Sequence, residues 1–81
     1  EVVKLDDNTL SVSCKMDIDD INERFDLDIP NEDFQTKVDM YLVSLFPAAH
    51  TQALLNVAKT GKPVYIEKFI KKCRLFFFYM L

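Results

Sequence analysis

Alternating apolar and polar positions near the start of the chain predict a β-hairpin. Leu10, Val12 and Cys14 occupy every second position, and serines stand between them. This period of two is typical of a strand with one buried face. A short apolar stretch at residues 2–5 predicts a preceding strand, and the Asp6-Asp7-Asn8 segment has side chains that stabilise a tight turn. We therefore expect two strands joined by this turn.

The next segment changes to helical spacing. Ile18, Ile21 and Phe25 recur at intervals of three and four, which places them on one face of a helix. Asp17 stands at the N-cap position and Asp20 where the acid of a capping box belongs, so both carboxylates are placed to accept from the first amides. The proline that follows predicts an extended link after this helix.

A second helix is predicted after Pro30, with Asn31 or Asp33 at its start. Its apolar side chains form one stripe. The stripe consists of Phe34, Val38, Tyr41, Leu42 and Leu45. Two short helices in tandem are therefore expected after the hairpin.

The end of the chain predicts a second hairpin. Residues 64–70 are rich in β-branched and aromatic types, Lys71-Lys72 forms a charged turn, and residues 73–81 are the last strand. One face of that strand holds Arg74, Phe76, Phe78 and Met80, and the other holds Leu75, Phe77, Tyr79 and Leu81. A central strand with helices on one face and another layer or a partner on the other would explain both apolar faces, and so would truncation of a segment that normally covers the strand. The candidate interaction surface comprises Phe76, Phe78 and Met80.

Length and composition predict one domain over residues 1–81, which we interpret as a fragment of a longer protein because the chain starts at Glu1 without an initiator methionine. The apolar fraction of 49% is sufficient for one core, and 28% charged residues with a net charge of -3 exclude a disordered tail. The predicted fold is α+β, with a small, mostly antiparallel sheet of four or five strands and two helices packed on one face. The longest apolar run, residues 75–81, is far shorter than the roughly 20 residues that cross a bilayer.

Isolated cysteines and a single histidine argue against disulfide, zinc and catalytic chemistry. Cys14 and Cys73 lie far apart, and two such thiols are more often buried and reduced, which points to the cytoplasmic side of a membrane. His50 has no second ligand at zinc spacing, and the serines lack an elbow or triad motif. We expect a noncatalytic protein.

Charge is distributed unevenly along the chain. Nine of the thirteen acids lie within residues 17–39. The candidate ligands for a divalent cation are Asp17, Asp19, Asp20 and Glu23. The alternative is a solvated helix face, because a calcium loop requires glycine and glutamate where this chain has Asn22 and Asp28. Basic and aromatic residues mix within residues 59–74, but the net acidity argues against a nucleic-acid partner.

The acidic helical segment also carries a family resemblance. The segments Ile18-Asp19-Asp20-Ile21-Asn22-Glu23 and Leu27-Asp28-Ile29-Pro30 are followed by Glu32-Asp33, Phe34 and Thr36. Together with the opening strand pair and a closing hairpin that places Arg74 before its phenylalanines, this pattern resembles the transporter-associated domain at the C-terminus of CorC/HlyC-type membrane proteins. The resemblance extends over most of the chain.

That resemblance implies a cytoplasmic accessory domain that modulates magnesium or cobalt efflux by binding a ligand or by packing against its neighbours. The neighbours would be the CBS and membrane domains of the same chain. The family's fold is similar to part of a flavin-binding domain, which implies adenine nucleotide or flavin as a ligand without assigning residues to it. The rival hypothesis is a protein-interaction or homo-oligomerisation module unrelated to transport, which uses the exposed face of the last strand.

Residues 48–59 allow two interpretations. Their high helix propensity predicts a third helix, with Gly61 as its C-terminal cap. The family pattern instead implies a strand at residues 53–58, with Thr60-Gly61-Lys62 as a hairpin turn. The strand is preferred here, and both interpretations stay open.

Overall fold

The structure, a computed structural model, describes residues 2–31 and 37–80. These residues form β1 (Val2–Asp6), β2 (Thr9–Ser13), α1 (Ile18–Phe25), α2 (Val38–Leu45), α3 (Pro47–Thr60), β3 (Val64–Ile70) and β4 (Cys73–Tyr79). The predicted α+β class, with helices packed on a small sheet, is confirmed. Predictions and resemblances that involve Glu32, Asp33, Phe34, Thr36 or Leu81 lie outside the described residues.

The described strands form one sheet in the order β1-β2-β4-β3. The hairpins β1-β2 and β3-β4 are antiparallel, and β2 and β4 are parallel, with Val12 opposite Phe77. The parallel pair arises because the chain leaves β2, forms its helices, and returns through the edge strand β3 before it turns into β4. The last strand is therefore central, as predicted.

The helices cover one face of the sheet. Leu10, Val12 and Phe77 point to this side and are almost fully buried. The ring of Tyr41 meets the ring of Phe77 edge-on, with centroids 6.4 Å apart. The other buried residues of the helices are Ile18, Ile21, Val38, Leu42, Ala53 and Val57. This layer provides the apolar burial that stabilises the fold.

The helix α1 begins where the sequence predicts, but without the predicted side-chain cap. Asp17 has the extended backbone of an N-cap residue, and its carboxylate makes no capping hydrogen bond. Asp17 Oδ1 lies 2.7 Å from Lys37 Nζ instead. The predicted capping box of Asp17 and Asp20 is therefore wrong, because an ammonium group competes for the carboxylate.

Asn22 holds the link that follows α1. Its Nδ2 donates to the carbonyl of Ile29, and its Oδ1 accepts from the amide of Ile29, both at 2.9 Å. Ile29 and Leu27 are buried although they belong to no helix or strand. The amide side chain therefore satisfies backbone groups that the interior would otherwise leave without a partner.

The helix α2 begins at Val38, later than the predicted start at Asn31, and the other predicted start, Asp33, lies outside the described residues. Lys37 occupies the N-cap position and has no capping side chain bond. The amides of Val38 and Asp39 donate to the carbonyls of Met16 and Cys14, each at 3.0 Å. Backbone carbonyls from the segment before α1 thus accept from the first amides of α2, where a polar side chain was expected as the cap.

The preference for a strand at residues 53–58 is wrong, because residues 47–60 form the helix α3. Pro47 stands in its first turn, where a missing amide costs nothing. Gly61 ends the helix at φ 71° and donates its amide to the carbonyl of Val57. Local helix propensity and these two end signals thus prevail over the family pattern.

Candidate functional site

The second face of the sheet carries no helix from residues 2–31 or 37–80. Strand alternation and register bring ten side chains to it, and we call this surface the open face. It comprises Val3 of β1, Thr9, Ser11 and Ser13 of β2, Tyr65, Glu67 and Phe69 of β3, and Arg74, Phe76 and Phe78 of β4. Its side chains form rows across the strands, as in Tyr65, Phe78 and Ser13.

The open face exposes large apolar side chains. The exposed fractions of Val3, Tyr65 and Phe69 are 53%, 54% and 60%. The rings of Tyr65 and Phe78 lie side by side, with centroids 6.0 Å apart. Apolar side chains gathered on one face of a small domain are typical of a surface that contacts another protein.

One ion pair interrupts this apolar surface. Arg74 Nε donates to Glu67 Oε2 at 2.9 Å. The same guanidinium group lies 5.4 Å from the ring centroid of Phe69 and 5.6 Å from that of Phe76. The charges of Arg74 and Glu67 compensate each other, so the surface has no net charge of either sign. It presents aromatic rings with a planar guanidinium group beside them.

The predicted surface of Phe76, Phe78 and Met80 lies partly on this face. Phe76 and Phe78 belong to it and are half-buried by their neighbours, whereas Met80 follows β4 and is 49% exposed. Tyr65 and Phe69 also belong to the open face, although they were not among the residues predicted for the interaction surface. The alternation of β3 contained the signal, but the register with β4 was needed to place these rings beside Phe78 and Arg74.

The four candidate metal ligands are engaged or dispersed. Asp17 pairs with Lys37, and Asp19 Oδ1 accepts from Asn31 Nδ2 at 2.7 Å. Asp20 and Glu23 point to solvent. Among residues 2–31 and 37–80, no group of three or more histidine, cysteine or acidic side chains is placed to hold a metal ion.

Cys14 and Tyr79, two groups that could serve as nucleophile or acid, are buried and lie outside the open face. Burial, with a contribution from the Asp39 carboxylate, raises the pKa of the Cys14 thiol to about 12. Burial also raises the pKa of Tyr79, whose hydroxyl shares a 2.8 Å hydrogen bond with His50 Nδ1. A buried thiol that keeps its proton at neutral pH is a poor nucleophile.

A cleft of about 520 Å³ lies at the end of the open face. Phe69 and Arg74 form one side of it, and the β1-β2 turn, with Asp6 and Asp7, forms the other. The Asp6 carboxylate accepts from the amide of Asn8 at 2.8 Å, and this bond lowers the pKa of Asp6. The cleft combines acids with bases, so its lining selects no ligand by charge.

Within the described part of the chain, no helix combines the length and the apolarity that crossing a membrane requires. Searches with this chain find no match among the models of protein families, the curated proteins or the solved structures.

Proposed function

We propose that this chain is a noncatalytic accessory domain that docks through its open face onto a neighbouring protein surface. The observation that carries the proposal is the set of aromatic side chains, led by Tyr65 and Phe69, that the sheet exposes opposite its helical layer. Burial of such rings contributes to docking, and an uncovered aromatic face is a liability for a domain that has no use for it.

The size of the open face favours a neighbour in the same polypeptide. Four strands ~4.8 Å apart and up to seven residues long give a projected area of about 400 Å². Stable complexes between free partners bury about 800 Å² on each side. A covalently linked neighbour tolerates a smaller interface, because linkage raises its effective concentration. We therefore expect the isolated chain to be a monomer.

The resemblance to CorC/HlyC-type proteins suggests which neighbour that is. We propose that the domain packs at the cytoplasmic side of a membrane protein against its CBS or membrane domains, and thereby modulates ion efflux. The order of elements supports this in part: a strand pair, the helices α1 and α2 and a closing hairpin follow one another as the resemblance implies, whereas α3 stands where the family pattern has a strand.

The buried positions of Cys14 and Tyr79 support the noncatalytic part of the proposal. The raised pKa of each group keeps it protonated near neutral pH, and His50 is held by the tyrosine hydroxyl. Neither group belongs to the open face. The Cys14 thiol and the Tyr79 hydroxyl are therefore not available as nucleophiles on the exposed surface.

Photo-crosslinking in the complete protein tests the docking. A photoreactive amino acid is placed either at Phe69, on the open face, or at Leu55, which is 59% exposed on α3. We expect crosslinks from position 69 to another domain of the same chain and few from position 55. Equal crosslinking from the two positions, or none from position 69, contradicts the proposal.

Transport measurements then distinguish an accessory domain of an ion efflux protein from an interaction module that is unrelated to transport. A Tyr65→Ser/Phe69→Ser variant of the complete protein should change magnesium or cobalt efflux, and a Leu54→Ser/Leu55→Ser variant should not. The isolated domains should remain folded, because all four side chains are largely exposed. Unchanged efflux, with crosslinks retained from position 69, favours an interaction module unrelated to transport.

A further inference from the structure

A cavity of about 430 Å³ opens on the helix side of the sheet, between the β1-β2 hairpin and the end of α1. Leu10 and Leu27 contribute to its lining, and both are buried, with 4% and 6% of their surface exposed. Phe25 and Cys73 extend the apolar part. The volume lies in the range of sites that bind small molecules, which is roughly 300–1,000 Å³.

Two cationic side chains line the same cavity. Lys4 comes from the edge strand β1, and Arg24 from the last turn of α1. The Arg24 guanidinium group lies 5.3 Å from the ring centroid of Phe25, which keeps it close to the apolar wall. The lining contains these two cations and the acid Asp7, whereas the chain has a net charge of -3, so the cavity differs in charge from the molecule as a whole.

The single acid of the lining does not neutralise this pair. Asp7 Oδ1 is 3.9 Å from Lys4 Nζ, and the Asp7 side chain is 98% exposed. An ion pair of that length in water is weak. Among the described residues, no carboxylate lies within ion-pair distance of Arg24. A positive charge thus remains available at the mouth.

We propose that this cavity binds a small amphipathic anion, in which a carboxylate is attached to a short apolar chain. The apolar part contacts Leu10, Leu27 and Cys73, and the carboxylate lies between Lys4 and Arg24. Arg24 contributes a planar pair of donors that matches a carboxylate. The site is independent of docking through the open face, because Leu10 and Cys73 lie on the opposite side of the sheet.

Octanoate is the probe, and amide chemical shifts of the 81-residue chain are the readout. We expect saturable shifts at Leu10, Leu27 and Cys73, with octanamide binding at least threefold more weakly, since it lacks the charge. Arg24→Gln should weaken octanoate binding about fivefold, the factor that corresponds to ~1 kcal/mol at the upper end for exposed ion pairs. The control Lys59→Gln removes the same charge from α3 and should change binding less than twofold.

Alkylation of Cys73 provides a second measurement that needs no variant. Mass spectrometry of peptides follows iodoacetamide labelling of Cys73 and of the buried Cys14 separately. Octanoate should slow labelling at Cys73 at least threefold, and octanamide at the same concentration should slow it less. The proposal is overturned if octanoate causes no saturable shifts or does not slow the labelling of Cys73. It is also overturned if octanamide binds as tightly as octanoate, or if Arg24→Gln and Lys59→Gln weaken octanoate binding equally.

Discussion

Three consecutive phenylalanines in β4 allow a test of which face of the sheet stabilises the fold. Phe77 is fully buried against the helices, whereas Phe76 and Phe78 lie half-buried on the open face. Phe77→Ala leaves a cavity beside Tyr41 and should cost ~3–5 kcal/mol. A chain of 81 residues has a free energy of unfolding of roughly 4–12 kcal/mol, so this variant should lose a large part of its stability.

Phe76→Ala and Phe78→Ala should each cost only ~1 kcal/mol, because their side chains border solvent and water fills the space that they leave. Urea unfolding, followed by circular dichroism, gives the free energy of unfolding of all three variants. The values can be compared where the slope of this free energy against urea concentration is the same for each variant. Phe69→Ala, at 60% exposure, is the control and should change the free energy of unfolding by less than ~0.5 kcal/mol. If Phe76→Ala or Phe78→Ala lowers the free energy of unfolding as much as Phe77→Ala does, the assignment of Phe77 to the buried face and of its neighbours to the open face is wrong.

Three further predictions concern single features of the fold. Asn22→Ala should cost ~2–3 kcal/mol in urea unfolding, because it leaves both backbone groups of the buried Ile29 without a partner; a loss like that of the exposed control Glu23→Ala would contradict this. Gly61→Ala should cost ~1 kcal/mol from its left-handed backbone alone, since no atom lies within 4 Å of the added Cβ; thermal unfolding unchanged from wild type would refute it. The folded Cys14 thiol has a pKa of about 12 against an ordinary 9.0, so its contribution to stability is complete below pH 9 and is lost as the pH rises towards 12. The urea midpoint should therefore fall less steeply between pH 8 and 11 for Cys14→Ala than for wild type. If the two midpoints fall in parallel, the Cys14 thiol does not cause the loss of stability at high pH.

Local patterns sufficed to predict both hairpins and α1. Alternation placed Leu10, Val12 and Cys14 inside, and the structure buries all three. The parallel pairing of β2 with β4 could not be predicted, because residues such as Val12 and Phe77 are separated along the chain by the helices α1, α2 and α3. No local spacing records such a distant contact, so the predicted sheet remained mostly antiparallel.

Two errors have different physical origins. The carboxylate of Asp17 was expected to cap α1 and instead pairs with Lys37, twenty residues later. The strand expected at residues 53–58 is a helix that begins after Pro47 and ends at Gly61. In the first case the charge of Lys37 prevailed over the capping preference of Asp17. In the second, the local helix propensity prevailed over the family pattern.

The candidate site was only partly predictable for a similar reason. The apolar character of Phe76 and Phe78 was visible in the sequence, but a run of apolar residues does not tell which face the helices cover. The cavity under α1 was not foreseen at all, because Lys4, Arg24 and Cys73 come from three separate elements. Sites that lie within one strand can be predicted from spacing, whereas sites between elements require the packing.

The strand β4 serves folding on one side and, as we propose, docking on the other. A strand that is apolar on both sides also promotes aggregation when it is exposed. Its central position protects its backbone, because β2 and β3 bond both of its edges. Arg74 and Glu67 place a compensated ion pair among the exposed rings, which limits the contiguous apolar surface. The open face is thus compatible with a monomer in solution and still offers the rings of Tyr65 and Phe69 to a linked neighbour.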